Sequence, residues 1–174
     1  MLQEKLDAWE AQLAEYRLPE WESLPELELY MDQVVLLMSR YLSFPPQMEE
    51  DEKVITASIV NNYVRMKIMP PPVKKRYSRV HLAYLLVICT LKQSLSIASI
   101  QRLMPVGLEE EEVRRLYTRF VRQYAGAAAM FTQYARKAME ECPDEDGLPV
   151  SAAVMSNLSK ALTEYLLLPQ KKEE

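Results

Sequence analysis

Three observations predict an all-α, mainly helical fold. The 174-residue chain has only three glycines, too few for the frequent turns a sheet needs. Apolar residues recur at intervals of three and four through most of its length, which is the period of a helix face. Prolines and polar clusters interrupt that period repeatedly, as helix ends require.

Leu2, Leu6, Trp9, Leu13 and Tyr16 form one face of a first helix, which Pro19 stops. Leu18 to Leu24 (LPEWESL) reads as extended. Pro25, Glu26 and Glu28 then open a second helix carrying Leu29, Tyr30, Val34, Leu37, Met38, Tyr41 and Leu42. Pro45 and Pro46 end it, and the loop from Phe44 to Lys53 holds Glu49, Glu50, Asp51 and Glu52.

Thr56 is the N-cap of a third helix running to about Lys67, with Ile59, Val60, Tyr63 and Val64 turned inward. Pro70, Pro71 and Pro72 end it. Val73 to Tyr77 (VKKRY) reads as a short hairpin or an extended loop with Lys74, Lys75 and Arg76 at its tip. Ser78 caps a fourth helix, about Arg79 to Ser94, that is apolar nearly all round and so is expected at the centre of the molecule. Ser96 caps a short fifth helix, which Pro105 and Gly107 close.

Glu109 to Glu112 suit a helix N-terminus, and Val113, Leu116, Tyr117, Phe120, Val121 and Tyr124 continue at helical spacing. The small residues Ala125 to Ala129 (AGAAA) permit close helix approach. The pattern resumes with Met130, Phe131, Tyr134 and Ala138 until Pro143. After a polar turn from Asp144 to Pro149, a last helix carries Val154, Met155, Leu158, Leu162, Tyr165 and Leu166. These C-terminal helices are expected to be mainly core, with a dimer interface or a pocket for a small-molecule effector as the alternatives.

Charge is distributed unevenly. There are four basic and thirteen acidic residues before residue 54, eight and none from Val54 to Leu108, and nine and twelve beyond. At the chain average, about 8 carboxylates would fall in the middle stretch. A local positive field within a protein of net charge −4 suits a face that binds a polyanion. The alternative is a core-rich segment that takes Lys and Arg at its few exposed positions. Ser58, Asn61, Asn62 and Arg65 stand at i, i+3, i+4 and i+7 on the third helix. Asn can bond bidentately to adenine and Arg to guanine in a major groove.

Other functions lack equipment. One histidine, no Gly-rich phosphate loop, no metal-ligand spacing and no Cys/His arrangement argue against an enzyme, and no cofactor is expected. Two cysteines are too few for a disulfide framework. With no signal pattern, and an apolar run (Leu82 to Leu91) about half the length of a bilayer span, a soluble cytoplasmic protein without membrane contact is expected.

The pieces TASIVNNYVRMKIMPP, RYSRVHLAYL and LSIASIQRLM resemble the winged helix-turn-helix of the mercury-resistance regulator (MerR) family. That likeness implies a recognition helix at 56–67, a basic wing at 70–77 and two following helices. It matches Thr56, Ser58, Tyr63, Pro70 and Pro71, and gives Tyr63 a contact to the DNA backbone. The family's usual arginine falls on Asn61, so no base preference carries over, and the first helix of the motif, at 27–43, is set unusually far from the second. His81 lies where the family often has an acid, and reads as a cap or a phosphate neighbour. Over a longer span, LPEWESLPELELYMDQV, ITASIVNNYVRMKIMPPP and YSRVHLAYLLVICTLKQSLSI resemble a family of uncharacterised bacterial proteins, domain of unknown function 1836. That resemblance implies a bacterial, Gram-positive source and brings no activity.

Three segments follow: an N-terminal helical segment (1–53), a winged helix-turn-helix (54–107) and a C-terminal dimerisation or effector region (108–174). The expected function is a homodimeric transcriptional regulator binding double-stranded DNA. Ser58, Asn61, Asn62 and Arg65 would face bases; Tyr63, Lys74, Lys75, Arg76 and Arg79 would face phosphates; Thr56 and Lys67, at the two ends of the reading helix, complete the expected DNA-binding set. The alternative is a non-enzymatic adaptor that holds an acidic protein partner. The loop Glu49 to Glu52 is expected to shield the basic face.

Overall fold

A computed structural model of the chain describes residues 1–44, 55–142 and 146–169. Among them, seven α-helices follow in order: α1 (Leu2–Glu15), α2 (Met31–Tyr41), α3 (Ala57–Arg65), α4 (Arg79–Leu91), α5 (Ile97–Leu103), α6 (Glu110–Glu141) and α7 (Gly147–Leu166). A single 3-10 turn, Trp21–Ser23, lies between the first two. The described β pairing is limited to two isolated antiparallel bridges, Leu29 with Tyr77 and Val73 with Arg76.

The centre is α4. Its residues from His81 to Cys89 are all buried, because a helix apolar on every side has no face to offer water. α2, α5 and α6 pack around it, and Val60 and Tyr63 of α3 join the same core as Val34 and Met38 of α2, Ile100 of α5 and Val113 and Tyr117 of α6. Each large apolar side chain so buried contributes about 1.5–3 kcal/mol. Two buried tyrosines find carbonyls next to helix breaks. The Tyr84 hydroxyl donates to Pro105 O at 2.5 Å and the Tyr117 hydroxyl to Pro19 O at 2.7 Å, which satisfies groups that would otherwise destabilise the interior.

Three expectations need correction. The second helix begins at Met31 rather than at Pro25. Leu29 instead spends its backbone N–H and C=O on Tyr77, both at 2.9 Å, and Tyr30 becomes the N-cap, its N–H donating to Gln33 Oε1. A residue bonded to a neighbouring segment on both sides cannot also sit within a helical ladder. Pro149 lies inside the first turn of α7 rather than in a turn before it, where its missing N–H has no helical partner to lose. Finally, α7 contributes no buried residue at all, so it is not core.

The long α6 has two halves. Glu109 and Glu112 close its N-terminus reciprocally, and Val113 and Tyr117 enter the core. Beyond Tyr124 it runs between α1 and α7. Trp9 of α1 meets Phe131 edge-on at 5.8 Å, and the Arg136 guanidinium bonds Asp7 and Glu10. On the other side, the Tyr134 hydroxyl donates to Ser151 O of α7 at 2.9 Å. The small residues do not bring helices into close contact: Ala125, Ala128 and Ala129 line an open groove of about 820 Å³ between α1 and α6, and nothing beyond the adjacent residues and the helix's own backbone lies within 4 Å of where a Gly126 Cβ would be.

Candidate nucleic-acid interface

The acid-free stretch folds into α3, the segment 66–77, α4 and α5. Thr56 caps α3, its Oγ1 accepting the Ile59 N–H at 3.2 Å. Val60 and Tyr63 point inward, which leaves Ser58, Asn61 and Arg65 exposed on the opposite side and Asn62 half-buried beside them. Arg65 donates to Asn62 Oδ1 at 2.6 Å, so its guanidinium is held along the helix. Among the described residues, Ser58, Ile59, Asn61, Asn62 and Arg65 line a shallow depression of about 560 Å³.

The end of α3 carries an informative piece of backbone. The Ile68 N–H bonds Tyr63 O and the Lys67 N–H bonds Val64 O, the two bonds of a Schellman closure. That closure needs a left-handed residue, usually glycine, and here it is Lys67 with φ 56°. A tight turn follows. Val73 and Arg76 exchange both backbone bonds, at 3.2 and 2.9 Å, across Lys74 and Lys75, whose φ values are 49° and 63°. Two successive positive φ angles are the pattern of a type I′ turn, which favours Asn-Gly. Among the described residues, every non-glycine with a left-handed backbone is thus a lysine of the acid-free stretch.

Neighbouring elements pin this segment. Gln101 of α5 donates to Lys67 O at 3.2 Å. Arg76 donates to the Tyr30 hydroxyl at 3.2 Å and lies over that ring at 5.2 Å. His81 Nδ1 accepts the Ser78 N–H at 2.9 Å while Nε2 lies 3.1 Å from Pro71 O, so the neutral tautomer protonated on Nε2 satisfies both partners. Burial of the ring holds its pKa below the ordinary histidine value. His81 is therefore a cap, and it also ties the proline segment to α4. Tyr30, Gln101 and His81 all act through contacts distant in sequence, and only His81 had a local signal, its position three residues after Ser78.

Two residues expected to face phosphates are placed elsewhere. Tyr63 is 6% exposed, with its hydroxyl beside the buried Cys89 thiol. Burial pushes the Tyr63 hydroxyl pKa up, and the Cys89 thiol up to about 11. The helical period had already turned Tyr63 inward, and burial of its ring outweighs the family match. Arg79 donates twice to Leu24 O, at 3.1 and 2.8 Å, lies over the Trp21 ring at 5.6 Å and pairs with Glu26 at 3.5 Å. It braces the 18–26 segment. Lys67, Lys74, Lys75 and Arg76 remain exposed, and among the described residues none of these, nor Arg65, forms an ion pair. The Glu49 to Glu52 loop lies outside the described residues.

Among the described residues no group of three or more His, Cys, Asp or Glu side chains could hold a metal, and no helix is long and apolar enough to cross a membrane. Comparison with curated proteins and with solved structures returned no match for the chain. A family model does match, over residues 19–120. The match takes in α2 to α5 and the first third of α6, and leaves α1 and α7 outside. The chain therefore belongs to the family described as Domain of unknown function (DUF1836).

Proposed function

We propose that this protein is a DNA-binding transcriptional regulator of MerR-like type, non-enzymatic, that reads duplex DNA with α3 and grips the backbone with the 66–77 segment. The observation that carries this reading is the placement of lysine at all three left-handed non-glycine positions among the described residues, 67, 74 and 75. A non-glycine residue there costs on the order of 1 kcal/mol. Glycine or asparagine would relieve that strain, so the charge itself is what these positions supply. Lys67 directly follows the end of α3, whose polar residues Ser58, Asn61, Asn62 and Arg65 carry the donors and acceptors that distinguish base edges.

The phosphate contacts are then Lys67, Lys74, Lys75 and Arg76. Four neutralised phosphates give log K against log salt a slope of about −3.6. The test is selection of genomic duplex fragments by the purified chain at low salt, followed by anisotropy titrations of the recovered fragments over a salt series. Retention of no duplex at low salt refutes the proposal. Arg65→Ala should relax the base preference and weaken binding by about 1–3 kcal/mol.

A further inference from the structure

Helix α7 leaves an apolar ridge uncovered. Val150, Val154, Leu158, Leu162 and Leu166 follow one another four residues apart, at 59, 53, 58, 59 and 70% exposure, with Tyr165 beside them at 72%. The helix carries two charged residues, Lys160 and Glu164, which pair with each other at 4.0 Å and, by helical spacing, lie away from the ridge. These six residues expose roughly 700 Å² in one continuous strip, more than soluble monomers ordinarily leave open. Neither charged residue of the helix lies within it.

We propose that this ridge is the interface with a second copy of the chain, formed by two α7 helices crossing antiparallel about a two-fold axis at Leu158. The area fits. Two such strips covering each other remove roughly 1,400 Å² from water, within the range of stable specific interfaces. The side-chain sizes fit as well. The ridge has valines at its N-terminal end and leucines at its C-terminal end, so an antiparallel copy sets Val150 against Leu166 and Val154 against Leu162, small against large at both ends, with Leu158 meeting its own counterpart. Rows spaced four apart are also the ridges that interlock in the commonest helix crossing. Arg102 of α5 bonds Leu167 O at 2.5 Å and Tyr134 of α6 bonds Ser151 O, so both ends of α7 are fixed to the body of the protein before a partner arrives. This interface is independent of the DNA-reading proposal, since none of its residues lies on α3 or the lysine segment.

The test is sedimentation equilibrium of the full chain. A dimer is expected at about 10 µM, and Leu158→Glu should weaken it by at least about a hundredfold while leaving the helical circular dichroism unchanged. Lys160→Ala, on the other side of the helix, should leave the dimer intact. With the exposed Cys142 changed to Ser, Leu158→Cys should cross-link to itself under mild oxidation, and a mixture of Val150→Cys and Leu166→Cys chains should form the mixed dimer in preference to either self-linked one. A monomer at 100 µM would overturn the proposal. A dimer insensitive to Leu158→Glu would overturn it equally, and so would a dimer in which Leu158→Cys does not cross-link.

Discussion

Replacing Lys74 and Lys75 together by Asn and Gly separates the shape of the turn from its charge. Both residues hold positive φ, 49° and 63°, and the two bonds between Val73 and Arg76 use backbone atoms that the substitution leaves in place. Asn-Gly is the pair best suited to this turn. Relief of two left-handed side-chain positions should stabilise the fold by about 1–2 kcal/mol. For a chain of this size, that corresponds to a rise in Tm of about 2–8 °C. The same change removes two of four proposed phosphate contacts, so the salt slope for DNA should fall by about 1.8. Thermal denaturation and anisotropy over a salt series, on one preparation, read both quantities. A lower Tm refutes the reading of the turn. An unchanged slope, with wild-type affinity, refutes the phosphate role of both lysines.

Further outcomes follow from the same contacts. Tyr63→Phe keeps the buried ring and should change stability by no more than about 1 kcal/mol and leave DNA affinity unchanged; a tenfold loss of affinity at unchanged Tm would return Tyr63 to the DNA face. His81 is held neutral, its pKa depressed by burial, so its contribution to stability should be complete above the unfolded histidine value of about 6.5 and be lost as the pH falls through the lower folded value. Denaturant titrations at pH 7.5 and pH 5 should show that loss in the wild type and a smaller one in His81→Asn, whereas a wild type more stable at pH 5 would contradict the buried neutral ring. Arg136→Ala frees Asp7 and Glu10, so amide exchange in α1 should speed up while that in α4 stays slow; unchanged exchange in α1 would show that its apolar contacts, Leu6, Leu13 and Trp9, hold it without the ion pairs.

The helical class, the order of the helices and the central place of α4 were legible in the residues themselves. They rest on period and punctuation: apolar side chains every three or four positions, Thr56, Ser78 and Ser96 before helix starts, and prolines after helix ends. The charge gap from Val54 to Leu108 was equally a property of order along the chain. What local pattern could not supply were contacts between distant positions. Leu29 left the helical pattern because Tyr77 offered it two backbone bonds. Arg79 looked like one more free cation until the fold brought Trp21 and Leu24 to it. The left-handed lysines carried no signature, since glycine is the residue that normally announces such backbone. Helix α7 has the same amphipathic spacing as the buried helices, and period alone cannot distinguish a stripe that faces a core from one that faces water. A sequence determines which faces are apolar, because that is a matter of residue type and spacing; which of those faces are covered depends on where the remaining chain packs, and only the tertiary structure decided that.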